Sequence, residues 1–403
     1  MTPQSSLRAL PWRRLILAVL LVAMATQPVF LVAVSFLQLQ EDIGLSTTRL
    51  GVLTGAFFLT AAVASPPLGR MVERIGWQRA MQINVAGSAA VLVAIAAFAR
   101  SFASLAILLI LGGAVYGFAN PAANQSLAER VDPARRGVIF GLKHGGIPAS
   151  TLLAGLVVPL LIVPIGWPVA FAFAVVLAPV VWLLIVTDRD DPFDIAAVSE
   201  PGRGARPLQP RHLAMLAGAA ALTTWAAISL STFLVAASVQ AASLTESGAG
   251  MLLFAGSLAS ITGRITAGAV TDRVRGRGFA GLVLLMGTGA VVFFLLRSAT
   301  GAAFVAFVVI AFVTAWGWPG LMTFTVVNAN AATVAASSSI TQAGIFLGAG
   351  LGPILLGLVI DKTSFQTSWA LVSVMLLLAA AIVTIVGVRT QRPESADQRE
   401  EAR

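Results

Sequence analysis

The sequence predicts an all-α integral membrane protein whose twelve transmembrane helices form two six-helix bundles around a central cavity. The 403 residues are 58% hydrophobic and only 11% charged, and their mean hydropathy is +0.90. A domain with a water-facing surface is less apolar than this. Twelve apolar runs have the length of about 20 residues that a bilayer-crossing helix needs. They do not alternate in polarity as barrel strands do, so helices are expected.

The twelve predicted spans follow one another along the whole chain. They cover residues 13–38, 48–70, 78–99, 102–126, 137–163, 167–187, 212–240, 247–270, 278–297, 302–328, 337–360 and 367–388. The first run lacks a clear signal-peptide cleavage site, so we interpret it as a retained span. The predicted organisation is a cytoplasmic segment 1–12, a six-helix bundle 13–188, a cytoplasmic linker 189–211, a second six-helix bundle 212–390 and a disordered cytoplasmic tail 391–403.

The basic residues predict the orientation in the membrane. Twenty arginines lie on one side of the predicted spans, against four basic residues on the other side: Arg49, Arg100, Arg297 and Lys362. The positive-inside rule then predicts a multi-pass protein of the cytoplasmic (inner) membrane with both termini in the cytoplasm. These arginines lie between apolar runs and not along one amphipathic face, which argues against binding of nucleic acid.

The chain contains an internal repeat of about 199 residues. A charged turn at Gly69–Arg79 recurs in altered form at Gly268–Arg277, and each copy joins two long apolar segments. At nearly the same offset other residues also pair: Gly51 with Gly250, Glu73 with Asp272, Pro121 with Pro319, and Gly146 with Gly344. Two homologous six-helix halves explain this pattern.

At these turns the chain resembles the major facilitator superfamily, whose signature between spans two and three reads Gly-x-x-x-Asp-Arg-x-Gly-x-Arg. The first copy matches at Gly69, Arg74, Gly76 and Arg79, with Glu73 in place of Asp. The second copy matches at Gly268, Asp272, Arg273, Gly276 and Arg277, with Gly276 one place late. The resemblance implies a secondary transporter that works by alternating access.

The charged turns are the predicted gate. A carboxylate at a helix end beside arginines can form a charge-assisted latch between the bundles. The alternative is that these charges only anchor helix ends and set the topology. The predicted gating residues are Glu73, Arg74, Arg79, Asp272, Arg273 and Arg277.

Two basic residues inside spans indicate the chemistry of the substrate. Arg264 lies in span 8 and Lys143 in span 5, whereas none of the 17 acidic residues falls in the middle of a predicted span. Buried cations without carboxylate partners require an anion, water or a change of charge state. Gly263-Arg264 is similar to the Gly-Arg of span eight in monocarboxylate transporters and oxalate/formate antiporters, and that resemblance implies a carboxylate ligand. Snorkelling of Lys143, or a helix-helix hydrogen bond of Arg264, is the alternative.

Further polar and aromatic residues complete the predicted substrate site. The superfamily resemblance implies that spans 1, 4, 7 and 10 line the central path, and these spans carry Gln27, Tyr116, Asn120, Asn124, Trp225, Trp316 and Trp318. Each of them has an alternative role in packing helices. His144 is the only histidine inside a span, and it is either a neutral core residue or a proton site, since its ordinary pKa is near 6.5.

These residues predict a transporter for a small organic anion, in particular a carboxylate, with a co-transported proton as a further possible partner. An efflux carrier for hydrophobic compounds is the first alternative, because the midplane is apolar and rich in tryptophan. A membrane sensor on the same fold is the second. We expect a monomer in the lipid bilayer. No phosphate-binding loop, catalytic constellation or metal-ligand cluster is present, and the chain has no cysteine, so no enzyme activity, cofactor or metal is predicted.

Overall fold

The computed structural model describes residues 12–128, 139, 142–188, 208–273, 278–329 and 334–391. Within these ranges the side chains of 241, 265–273, 327–329, 334–338 and 391 are not described. Every regular element in the described ranges is helical, as the sequence predicts. The predicted linker lies mostly outside the described residues, as does the predicted tail after Gln391.

The described helices form twelve segments, which we call spans 1 to 12. They are Trp12–Val34 with the short helix Phe36–Ile43 (span 1), Thr47–Ile75 (2), Trp77–Phe98 (3), Phe102–Tyr116 with Ala119–Ala128 (4), Gly146–Val157 with the π-helix Val158–Ile162 (5), Trp167–Ala174 with Leu177–Val186 (6), Pro210–Ala242 (7), Glu246–Arg273 (8), Gly278–Leu296 (9), Gly301–Ala329 (10), Val334–Lys362 (11) and Phe365–Gln391 (12). By length and composition, ten helices of the described chain suit a membrane crossing, and Gly146–Ile162 is a shorter apolar segment.

Prolines explain why spans 4, 5 and 6 are not the continuous helices that the sequence predicts. A proline has no N–H to donate to the carbonyl four residues earlier, and its ring clashes with that carbonyl. Span 4 breaks at Gly117, four residues before Pro121, and the freed Gly117 carbonyl accepts a hydrogen bond from Ser65 Oγ at 3.3 Å. In span 5, the turn at His144 likewise lies four residues before Pro148. Gly155 lies four residues before Pro159, where the α-helix gives way to the π-helix. In span 6, the break at Val175 lies four residues before Pro179.

Arg14 connects four spans at one end of the first bundle. Its Nε lies 2.7 Å from Asp188 Oδ2, its Nη1 donates to the Ser126 carbonyl at 2.8 Å, and its guanidinium lies 4.7 Å from the centre of the Trp77 ring. These contacts join the start of spans 1 and 3 to the end of spans 4 and 6. We call this end, at which the described chain also begins, the proximal end, and the opposite end the distal end.

The two bundles meet along two seams in the distal half of the molecule. Glycines form both seams because the absence of a side chain lets two helix backbones approach closely. In the 2–11 seam, Gly51 and Gly55 of span 2 contact the backbone of span 11 around Pro353. In the 5–8 seam, a Cβ on Gly155 would lie 2.6 Å from the Gly250 carbonyl oxygen.

Polar contacts add to each seam. Thr151 of span 5 and Ser257 of span 8 share a hydrogen bond of 2.7 Å between their hydroxyl groups. At the distal end of the 2–11 seam, the Asp361 carboxylate accepts hydrogen bonds from the Thr48 backbone N–H, at 2.8 Å, and from the Thr47 hydroxyl. Asp361 of one bundle therefore caps the N-terminus of span 2 in the other bundle.

We predict that Asp361→Ala loosens the distal end of the 2–11 seam. Loss of a helix N-cap costs about 1 kcal/mol, which corresponds to roughly a fivefold change in an opening equilibrium. Because the chain has no native cysteine, a cysteine introduced at buried Thr54 reports this opening through its rate of thiol labelling. Labelling should become roughly fivefold faster, whereas Lys362→Ala, one residue away, should leave it unchanged. An equal effect of both variants would contradict the capping role.

Candidate functional site

A small cavity of about 40 Å³ lies between the two bundles, on the proximal side of both seams. Seven of the predicted substrate-site residues line it: Tyr116, Asn120, Lys143, His144, Arg264, Trp316 and Trp318. A volume of this size has room for a few water molecules, whereas pockets for small organic ligands measure roughly 300–1,000 Å³. An organic ligand can therefore bind only if the bundles move apart around the cavity.

Span 4 holds Lys143 through a row of hydrogen bonds. Tyr116, Asn120 and Asn124 are spaced four residues apart, so they share one side of span 4 despite its break. The Lys143 ammonium donates to Asn120 Oδ1 at 3.0 Å and to Asn124 Oδ1 at 2.7 Å. The Asn120 amide in turn donates to the Tyr116 hydroxyl at 3.2 Å. Neutral oxygens thus hold the ammonium in place, and no carboxylate among the described residues pairs with it.

Span 10 holds Arg264 by an aromatic contact. A Cβ on Gly263 would lie 2.9 Å from Val313 Cγ1, so this glycine lets span 10 approach span 8. Trp316 lies one helical turn after Val313, and its ring centre is 5.6 Å from the Arg264 guanidinium carbon. The Trp316 indole N–H donates to Ser231 Oγ at 3.3 Å, which fixes the ring. The two residues of the Gly263-Arg264 pair therefore act together. The glycine lets span 10 pack closely against span 8, and the close packing brings Trp316 into contact with the Arg264 guanidinium.

Arg264 is buried and has no hydrogen-bond partner among the described residues. The residue is only 8% exposed, and none of its three guanidinium nitrogens bonds to any described residue. Lys143 is 3% exposed and belongs to the other bundle. No carboxylate is among the described residues that line the cavity. Each bundle thus presents one buried cation to the cavity, and an anion is the ligand that would neutralise both.

Three predicted site residues lie outside the cavity lining. Gln27 donates to the Ser150 carbonyl at 3.1 Å, which ties span 1 to span 5 within the first bundle. Its repeat equivalent Trp225 packs against Gly352 within the second bundle. Asn124 is exposed and contributes through its hydrogen bond to Lys143. In this structure Gln27 and Trp225 therefore make contacts between helices of the same bundle.

The predicted gating residues are only partly described. Glu73, Arg74 and Arg79 are exposed around the turn between spans 2 and 3, at the proximal end, where Gly76 has a φ of 82°. The side chains of Asp272 and Arg273, and all of Arg277, lie outside the described residues. The latch therefore stays a prediction.

Three further polar or aromatic lining residues were not predicted from the sequence: Phe58, Gln342 and Phe346. The superfamily resemblance points to spans 1, 4, 7 and 10 for the additional polar and aromatic residues, whereas Phe58 belongs to span 2, and Gln342 and Phe346 to span 11. Gln342 does carry a signal in the sequence, because it is a carboxamide within a long apolar helix. Among the described residues, no group of His, Cys, Asp or Glu side chains is arranged to hold a metal ion.

Two six-helix bundles that enclose a polar cavity within a membrane-spanning architecture define the class of secondary transport proteins. The profile of the Major Facilitator Superfamily matches residues 15–240 and 214–403. The chain belongs to this superfamily, whose members are membrane transporters and not enzymes. The predicted family is confirmed.

Three curated relatives match part of the chain. The tetracenomycin C resistance and export protein of Streptomyces glaucescens is 28% identical over 190 residues, which are 46% of this chain and 35% of that protein. The gallate transporter of Pseudomonas putida is 27% identical over 181 residues, 44% of this chain and 40% of that protein. The hexuronate transporter of Bacillus subtilis is 24% identical over 154 residues, 38% and 36% respectively. The matched stretches thus span well under half of each relative.

The fold is also that of a solved transporter. A bacterial homolog of the human lysosomal transporter Spinster, in an inward-facing and occupied conformation, superposes with a TM-score of 0.67 at 18% sequence identity. The match covers 94% of this chain and 98% of that one. This likeness confirms the predicted twelve-helix fold.

Proposed function

We propose that the protein is a secondary transporter that moves a small organic carboxylate across the membrane by alternating access. The observation that carries the proposal is the pair of buried cations, Lys143 from the first bundle and Arg264 from the second, with no carboxylate among the described lining residues. Desolvated charges of one sign are unfavourable unless a ligand of the opposite sign joins them. A carboxylate can accept hydrogen bonds from both groups at once.

The position of the two cations suggests how binding is coupled to movement. Because Lys143 and Arg264 belong to different bundles, an anion held by both draws the bundles together around itself. The two distal seams are closed in this conformation, so passage to the distal side requires Thr151–Ser257 and the Asp361 cap to separate. The predicted latch of Glu73 and Asp272 at the proximal end would form as the seams part.

The relatives support an organic anion. Gallate and hexuronates are carboxylates, and the proteins named for their transport match this chain. The distribution of arginines supports a cytoplasmic membrane location with both termini in the cytoplasm. His144 lies in the cavity wall beside Lys143 and is the proposed site for a co-transported proton. A monomer is sufficient for this mechanism, because one chain supplies both cations.

Export of hydrophobic compounds is the second candidate function. Phe58, Trp316, Trp318 and Phe346 line the cavity, and one relative is named for resistance to and export of tetracenomycin C. The two candidates differ in what they require of the substrate: the first requires a negative charge, whereas the second requires only apolar surface.

Flux into proteoliposomes containing the purified full-length chain tests the proposal. Labelled gallate and glucuronate serve as probes, and their uncharged methyl esters serve as competitors. We expect protein-dependent counterflow of at least one acid, competed by the unlabelled acid and not by its ester. An inward pH gradient should stimulate uptake if a proton accompanies the anion. Equal competition by the esters, or by benzylamine, would reject the carboxylate assignment and favour the exporter.

A further inference from the structure

The two seams give the cavity two chemically different sides. Lys143 and His144 belong to span 5 and Arg264 to span 8, so the basic groups lie together next to the 5–8 seam. The side next to the 2–11 seam is formed by Phe58 of span 2 and by residues of span 11, including Phe346. One side is therefore cationic and the other is aromatic and apolar.

Gln342 is the one polar side chain among the described lining residues of spans 2 and 11. It lies one turn before Phe346 and is half-buried. Its carboxamide makes no hydrogen bond to any residue that the structure describes, although it carries both donors and an acceptor. A polar group that loses water in a closing site favours a ligand that offers it a partner.

We propose that the transported anion is an aromatic carboxylate with a hydroxyl group at the end away from its carboxylate, and that Gln342 selects for this hydroxyl. The inference rests on the proposed function. The carboxylate faces Arg264 and Lys143, and the ring packs between Phe58 and Phe346. The hydroxyl then exchanges a hydrogen bond with the Gln342 amide. An aromatic face suits this position because rings pack favourably edge-to-face or offset against phenylalanine.

Binding of benzoate and 4-hydroxybenzoate to the full-length protein in nanodiscs tests the inference by calorimetry. The two acids differ by a single hydroxyl group. The wild-type protein should bind 4-hydroxybenzoate roughly tenfold more tightly, which is the effect of one neutral hydrogen bond. Gln342→Leu, which nearly conserves the side-chain volume, should bring this ratio to about one. Gln366→Leu, an exposed glutamine near the distal end, is the matched control.

The outcomes separate this inference from the proposed function. An unchanged ratio in Gln342→Leu would overturn the role of Gln342. Binding of glucuronate without binding of either benzoate would overturn the aromatic substrate and leave the carboxylate transporter intact. Equal binding of methyl benzoate and benzoate would instead reject the proposed function. If Gln342→Leu does not fold, Gln342→Met supplies the same comparison, and an unchanged thermal midpoint shows that the variant is folded.

Discussion

Arg264→Gln should abolish carboxylate binding and transport. The guanidinium is buried, rests against Trp316, and has no hydrogen-bond partner among the described residues, so an anion is its expected partner. Truncating one member of a buried, hydrogen-bonded charge pair costs about 2–5 kcal/mol, or roughly 30-fold to several thousand-fold in affinity. Counterflow in proteoliposomes and calorimetric binding of the same acid measure the loss.

The thermal midpoint of the ligand-free variant separates this effect from misfolding. Removing an unpaired buried charge does not destabilise a protein, so the midpoint should stay unchanged or rise. Arg264→Lys should restore part of the binding, because an ammonium keeps the charge but cannot form a bidentate pair. Arg297→Gln, at an exposed arginine beyond span 9, is the control that should behave as wild type. Near-normal affinity in Arg264→Gln would show that the anion binds elsewhere.

Asn124→Asp should cause a comparable loss without removing either cation. The Asn124 side-chain oxygen lies 2.7 Å from Lys143 Nζ, so an aspartate at this position would form an ion pair with the lysine. The substrate carboxylate would then meet a neutralised lysine and a second negative charge. Juxtaposed like charges cost several kcal/mol, so affinity should fall by about a hundredfold or more.

Two further variants show whether charge or geometry is responsible. Asn124→Ser keeps a neutral oxygen on span 4 and should lower affinity much less than the aspartate does. Asn120→Asp places the new charge one turn away, where the lysine also donates, and should reproduce the loss. If the serine and aspartate variants bind a carboxylate equally well, Lys143 acts only as a packing residue.

The sequence predicts most of the fold because each transmembrane span carries its own signal. The hydrophobic length of a helix is a local property, and so is the proline that breaks it. Pro121 lies four residues after the break of span 4, but its repeat equivalent Pro319 lies within a continuous helix, so a proline alone does not determine a break. What remained hidden depends on which helices pack together. Glycine runs in spans 2 and 11 indicate close packing, but the partner of each helix follows only from the assembled bundles.

The candidate site, too, could be predicted only in part from the sequence. Arg264 and Lys143 stand out in the sequence because charge is rare within spans, and both line the cavity. Gln27 and Trp225 were grouped with them because they occupy spans that the superfamily uses for its central path. Span membership does not determine which face of a helix a residue occupies, and both residues serve contacts inside a bundle. Gln342 was missed for another reason, because it lies in span 11, outside the four spans to which the superfamily resemblance points.

The two buried cations of the cavity differ in their hydrogen bonding, and this difference has a kinetic consequence. When the bundles separate around a bound anion, Lys143 can exchange the ligand for the two asparagine oxygens that already accept from it, whereas Arg264 has no such replacement among the described residues. Bonds to the first bundle should therefore break first, and the anion should leave together with the second bundle. The residence time of the substrate is then determined mainly by span 8, and the first bundle determines how readily the site closes again.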